Sequence, residues 1–355
     1  VVMAPGGPML VLAGPGSGKT RTVTYRMARL IESGEDPARI LLLTFTNKAA
    51  SEMLRRAQGL IHADVHRVWG GTFHHAGNLI LRRHARWVDR GENYSILDRE
   101  DAADLLDTCV AEASIDSKGR YFPKGGVLRD ILSFAVNTET PVEEVVLKRH
   151  ATFADRLTEI KRVYARFEER KAEMNVLDFD DLLVLWGRLL EERPEVRESF
   201  QEQFRHVLVD EYQDTNRLQS RLIDLLAGRH RNLTVVGDDA QSIYSFRGAD
   251  FANFLGFPDR YPDARTFRLE SNYRSTPEIL RLANVSISVN THQFKKRLRA
   301  ERPSGGDLPS VVPVRDVLQQ ADFVCQRVLE LRDEGLSLNE IGVLYRAHFH
   351  SMEVQ

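Results

Sequence analysis

The sequence predicts an α/β protein with a parallel sheet, an all-helical insertion and the start of a second α/β unit. Three observations predict it. A short apolar run, Met9–Leu12, is followed at once by a glycine-rich turn and then Lys19-Thr20. Further short apolar runs recur at 40–43, 207–209 and 233–236, alternating with stretches of helical spacing, as in a parallel sheet. Between residues 91 and 199 strand-like runs vanish and helical patterns dominate.

Composition sets the bounds. At 355 residues the chain has room for two or three domains. Its 42% hydrophobic and 28% charged content is that of a soluble globular protein. No apolar run approaches the roughly 20 residues of a membrane span. Met9–Ala13 is too short for a secretory signal and lacks a basic flank. The two cysteines, Cys109 and Cys325, are far apart, which argues against a disulfide framework or a cysteine-rich metal site. They suit a reducing cytoplasm. A net charge of −2 carries no global nucleic-acid signal, so any such binding rests on local surfaces. The chain starts at Val1 without an initiator Met and stops at Gln355 inside a helical pattern, so it is expected to be a fragment.

Residues 9–21 organise the rest. Met9–Leu12 reads as a buried strand, and Ala13, Gly14, Pro15, Gly16, Ser17 and Gly18 form a phosphate-binding loop. The glycines let successive N–H groups turn toward one anion. The helix that follows presents its positive end to the same anion. Lys19 can reach the outer phosphates, and the Thr20 hydroxyl can ligate Mg²⁺. Ala13 stands where the strict motif has Gly. A loop of this kind points to a nucleoside triphosphate.

The next elements repeat the pattern. Residues 19–33 read as a helix closed by Gly34, and Arg39–Thr44 as a second buried strand. Thr44–Ala50 then turns into a helix through about Gln58. Phe45 at a strand's carboxyl end is oddly placed for a core residue, since ligands sit at that edge of an open α/β sheet. Trp69–His75 repeats the arrangement, ending in His74. The helix after it carries Arg82, Arg83, Arg86 and Arg90, either a solvated basic face or a phosphate track.

Helical patterns in the insertion cover 101–113, 127–137, 142–150, 153–174 and 180–191. Asp178, Asp180 and Asp181 could form a metal site. The simpler reading is an Asp178 cap with two acids facing the helix's positive end. The strand ending in Asp210-Glu211 is the expected second half of a phosphate-loop ATPase. Asp210 can hold Mg²⁺ through its water shell, and Glu211 can polarise the attacking water. In the following loop, Gln241 could sense a terminal phosphate while Tyr244, Phe246 and Arg247 face another ligand. Residues 264–269 read as one more strand, and Pro277 as the first turn of a helix to about Val289. Lys295–Arg299 is a basic run, either a phosphate contact or a solvated loop. Strands at 311–314 and 341–345 around a helix at 316–334 would start the second unit.

Taken in order, Ala13–Thr20, Thr44–Ala50, Gly71–His74, Asp178–Leu183, Asp210–Asn216, Gly237–Asp250 and Asn272–Ser275 resemble the motifs of the UvrD/Rep/PcrA group of superfamily 1 DNA helicases. They span nearly the whole chain. The resemblance implies two RecA-like P-loop NTPase domains with ATP between them. The first would be 1–90 plus 200–267, with 91–199 as the helical insertion; 268–355 would begin the second. It implies that Gln241 links the γ-phosphate to DNA and that Arg274 reaches the γ-phosphate. It implies that Tyr273 and Arg21 sandwich adenine, and that Phe45, His74, Tyr244, Phe246 and Arg247 contact single-stranded DNA. Several relatives carry Trp at the position of Phe246.

The implied activity is ATP-dependent 3′-to-5′ translocation on single-stranded DNA and strand separation at single-strand/duplex junctions, in repair or replication and alongside proteins of those processes. Two other readings are a motor subunit of a helicase–nuclease and a truncated, non-catalytic DNA-binding module. The family's adenine-reading glutamine, its later motifs and its second helical insertion are not found here. The piece by itself is therefore expected to bind nucleotide poorly.

Overall fold

The computed structural model describes residues 1–62, 64–113 and 122–354, which fall into two compact units, Val1–Gly305 and Gly306–Gln355. The first unit opens with β1 (Met9–Ala13), every residue of which is buried, and α1 (Lys19–Glu32). Next come β2 (Ile40–Thr44), α2 (Asn47–Gln58), β3 (Trp69–Thr72) and α3 (Phe73–His84). Thr46 and Thr72 are the N-caps of α2 and α3, accepting from Ala49 N and His75 N. These caps satisfy amides that the first turn leaves open, and they fix where each strand hands over to its helix.

The insertion holds β4 (Ser95–Ile96), α4 (Arg99–Glu112), α5 (Gly125–Thr138), α6 (Val142–Arg149), α7 (Leu157–Glu173) and β5 (Val176–Leu177). α8 (Phe179–Glu192) and α9 (Pro194–Gln203) follow. The sheet resumes with β6 (His206–Val209), α10 (Arg217–Ala227) and β7 (Leu233–Gly237). Two short helices, α11 (Phe251–Leu255) and α12 (Phe257–Arg260), lead to β8 (Arg265–Leu269). The unit closes with β9 (Ser271–Asn272), α13 (Pro277–Ile287) and β10 (Arg299–Ala300).

Six strands form one parallel sheet in the order β3-β2-β6-β7-β1-β8. Alternate residues of each strand enter different cores, because side chains alternate across a sheet. Leu10, Leu12, Leu41, Leu43, Val207 and Val209 pack with Trp186 and Leu222 on one face. Val11, Ala13, Ile40, Leu42 and Leu208 pack with Val23, Met27 and Met53 on the other. A sheet covered on both faces explains why its strands read as unbroken apolar runs.

The helical region has one core of its own and departs from expectation in two ways. Leu106, Ile131, Val163 and Phe167, from α4, α5 and α7, share a core of their own. α8 and α9 join the sheet's core instead, through Leu182, Trp186, Leu190, Val196 and Phe200. β4 and β5 pair in parallel where no strand was expected; two residues are too few to show a period. The acids at 178–181 cap rather than ligate. Asp178 and Asp181 form a reciprocal capping box at the start of α8, and Lys171 Nζ lies 3.0 Å from Asp178 Oδ2 and 2.7 Å from Asp181 Oδ2.

Residues 268–305 lie in the first compact unit, where β9 pairs with β10 and the turn after β9 docks on the phosphate loop. The second unit contains α14 (Val317–Asp333), capped by Asp316. The expected strands at 311–314 and 341–345 do not form among the described residues. A β-branched run becomes a strand only against a ladder partner. The final expectation, a helix running to Gln355, ends in residues outside the described set; His348–Ser351 is a single 3₁₀ turn. Among the described residues no helix is long and apolar enough to cross a membrane.

Candidate functional site

The loop between β1 and α1 is built as its composition requires. Gly16 (φ +68°) and Gly18 (φ +88°) lie in the left-handed region that a side chain disfavours. Gly16 is also close-packed: a Cβ there would sit 2.6 Å from Arg274 Cβ. The Ser17 hydroxyl turns back to Gly14 O at 2.7 Å, and Ala13 is buried as the last residue of β1. Asn272 holds the opposite wall. Its Nδ2 donates to Pro15 O at 2.5 Å, its Oδ1 accepts from the amides of Arg274 and Ser275, and Tyr273 N donates to Gly16 O at 3.0 Å.

The result is a cavity of about 480 Å³ bordered by the loop, Lys19, Thr20, Arg21, Glu211, Gln241, Tyr273 and Arg274. Residues as far apart in sequence as Gly14 and Arg274 thus border one cavity. The Arg21 guanidinium lies over the Tyr25 ring, 5.2 Å from its centroid, while Tyr273 borders the same cavity. Arg56 of α2 lines it too. Arg56 escaped notice because its i−4 partner Glu52, at 2.7 Å, makes it read as a surface ion pair.

Behind the loop, β6 ends in a concentration of acid. Lys19 Nζ meets Glu211 Oε2 at 3.0 Å. Glu211 has a left-handed backbone (φ +51°), rare for a residue with a side chain and characteristic of strained functional positions. Gln213 braces it: Nε2 donates to Glu211 Oε2 at 2.8 Å, and Oε1 accepts from Asp238 N at 3.0 Å. Asp210 is buried, and its Oδ1 has no hydrogen-bond partner among the described residues. Burial, then the Glu211 charge, pushes the Asp210 carboxyl up to about 7, with Lys19 acting the other way. The same causes push Asp214 up to about 6. A buried oxygen without a partner, in a cluster short of positive charge, is what a divalent cation would satisfy.

Asp210 lines an adjoining cleft of about 330 Å³ rather than the first cavity, and Glu211 borders both. Phe45, His74, Tyr244 and Arg247 line this second cleft. Phe45 stacks on Tyr244, with centroids 5.0 Å apart and planes at 29°. Tyr244 meets Phe246 at 6.0 Å, and the Arg247 guanidinium lies 5.4 Å from each of those rings. Phe246 is 61% exposed and Phe45 43% exposed, which is not core packing. Burial pushes the His74 imidazole pKa down, so the ring is neutral at pH 7.

Sequence reasoning missed Phe179, which is 47% exposed and meets His74 edge-on at 5.9 Å. Its signal was available: a large apolar residue among three acids at a capped helix start. It also missed Asn137, whose Nδ2 donates to Asp180 Oδ1 at 2.7 Å and whose Oδ1 accepts from Asn216 Nδ2 at 2.5 Å. That chain ties the insertion to the motif after β6.

The parallel sheet and the loop at the end of β1 define the RecA-like class of P-loop proteins. Comparison with known proteins is more specific. Residues 1–262 match the family model described as UvrD/REP helicase N-terminal domain, and residues 267–355 that of the UvrD-like helicase C-terminal domain. The chain belongs to the UvrD/REP helicase family. An ATP-dependent DNA helicase PcrA of Staphylococcus epidermidis is 38% identical over 346 residues, 97% of this chain and 46% of that protein. A protein of the same description from Staphylococcus aureus is 36% identical over 348 residues, again 97% and 46%. The chain spans about half the length of these curated relatives.

Proposed function

We propose that this chain is the nucleotide-binding and part of the DNA-binding machinery of an ATP-dependent DNA helicase that moves 3′ to 5′ on single strands and opens duplex at junctions. One observation carries the reading: Glu211 borders both the loop cavity and the aromatic cleft, so one acid can answer to both ligands. The domain division is proposed as 1–90 with 200–267, the insertion 91–199, and a second domain from 268.

In this reading the loop amides and Lys19 hold the phosphates, and Arg21 and Tyr273 bound the adenine. A phosphate in the loop competes for the Lys19 ammonium and releases Glu211 to take a proton from the attacking water. Gln241 and Arg274 stabilise charge on the transferred phosphoryl group. Thr20 and Asp210 would hold Mg²⁺, which supplies neutralisation of phosphate charge when bound. The exposed faces of Phe45, Tyr244, Phe246 and Phe179 stack on bases without choosing among them, and Arg247 meets the backbone. The work is placed in the cytoplasm, in DNA repair or replication, in keeping with two free cysteines.

Tyr244→Ala is expected to cost about 1–3 kcal/mol of single-strand affinity, whatever the sequence. Fluorescence anisotropy with labelled homopolymers reads this, and a loss confined to one base would contradict it. The activity itself is tested with the full-length protein on duplexes carrying a 3′ or a 5′ single-stranded tail. Strand release from the 3′-tailed duplex alone supports the reading; release from the 5′-tailed one alone overturns the direction.

A further inference from the structure

The basic run Lys295–Arg299 is neither a phosphate contact nor a solvated loop at one position. The Lys296 side chain is 7% exposed. Its Nζ lies 2.7 Å from Asp238 Oδ1 and also pairs with Asp239, and both of those carboxylates are wholly buried. The neighbouring Phe294 N donates to Asp239 Oδ2 at 2.9 Å, so the segment is anchored by backbone as well as charge.

Asp238 is the hub of the loop after β7. Its Oδ2 accepts from Gln241 Nε2 at 2.6 Å, and its Oδ1 accepts from Ala240 N at 3.1 Å. Its own amide donates to Gln213, which holds Glu211. Two adjacent buried carboxylates repel and must be balanced by a cation. Lys296 is the cation that faces both. Without it, Asp238 would turn away from its buried, unbalanced place, which removes the acceptor that orients the Gln241 amide.

We propose that Lys296 is a positioning residue for Gln241, acting through Asp238. It comes from the segment just before β10, whose partner β9 carries the Asn272 that walls the loop cavity. One buried ammonium therefore couples the placement of Gln241 to the segment that presents Arg274. The catalytic consequence rests on the hydrolysis reading above; the positioning itself does not.

The test uses the full-length protein with Lys296→Met and Lys296→Arg. Should the Met variant fail to fold, Lys296→Gln replaces it. The first readout is the Gln241 side-chain amide resonance, from selective ¹⁵N-glutamine labelling assigned with Gln241→Ala. It is expected to move toward the free-amide position in the Met variant and to stay near wild type in the Arg variant. The second is steady-state ATP hydrolysis with single-stranded DNA, where kcat should fall for Met by up to the roughly 10²–10³-fold that loss of an oriented transition-state donor costs, and largely recover for Arg. Affinity for a fluorescent ATP analogue should change less than about threefold, since the loop amides and Lys19 carry ground-state binding. An unmoved amide in the folded Met variant overturns the proposal, and a moved amide with wild-type kcat overturns its catalytic consequence. A wild type that does not hydrolyse ATP sinks the hydrolysis reading instead, and the amide readout still decides the positioning claim.

Discussion

Glu211→Gln in the full-length protein is expected to lower DNA-stimulated ATP turnover by about 10²–10⁴-fold, the contribution of a positioned general base. Nucleotide affinity should stay within a few-fold of wild type. Gln has the shape of Glu and retains an acceptor oxygen for Lys19, 3.0 Å away, and for Gln213, 2.8 Å away. It cannot take a proton from water. The strained backbone at φ +51° is set by the chain around it, so the substituted side chain should occupy the same place. Steady-state hydrolysis beside equilibrium binding of a fluorescent ATP analogue separates the two effects. Equal loss of binding and turnover would mean that Glu211 organises the loop and does no proton transfer.

Lys171→Met is expected to produce the largest stability loss, about 3–5 kcal/mol, because it strands buried carboxylates. The Lys171 side chain is 1% exposed. Its Nζ lies within 3.0 Å of Asp178 Oδ2, Asp181 Oδ2 and Glu168 Oε1. Burial works against its charge, but Asp181 and Asp178 outweigh burial and lift its pKa. Asp181 is pushed up to about 7, by burial first and then Asp178, even with Lys171 opposing. A carboxyl whose folded pKa lies above its unfolded value binds more protons when folded, so stability falls as pH rises between the two. Without Lys171 the folded value rises further. The variant's deficit, read from urea unfolding, should therefore be larger at pH 8 than at pH 6. A deficit below about 1 kcal/mol at pH 8 would mean that solvent reaches these carboxylates.

The sheet was legible because each strand is short, wholly apolar and followed by a turn with a chemical signature. β1 with its glycine loop and β6 with Asp210-Glu211 are the clearest cases. Asp178 as a cap was legible for the same reason: the signal lies within four residues. What escaped depends on distant partners. Lys296 looks like any lysine in a basic run until Asp238 and Asp239 are brought to it across 57 residues. The amphipathic pattern of α8 announces a buried face but not that it meets the sheet. The β-branched residues at 311–314 promise a strand that needs a neighbour to exist. Arg21 offered a stacking partner for a ligand, yet in the fold it lies over Tyr25, one helical turn along.

The loop cavity and the aromatic cleft should answer to each other through Glu211, which borders both. ATP hydrolysis by the full-length protein, measured with and without saturating single-stranded DNA, tests it most directly. The rate should rise about tenfold or more with DNA, and the rise should shrink in Tyr244→Ala. A substantial rate that is the same with and without DNA would contradict it, leaving two independent sites on one sheet.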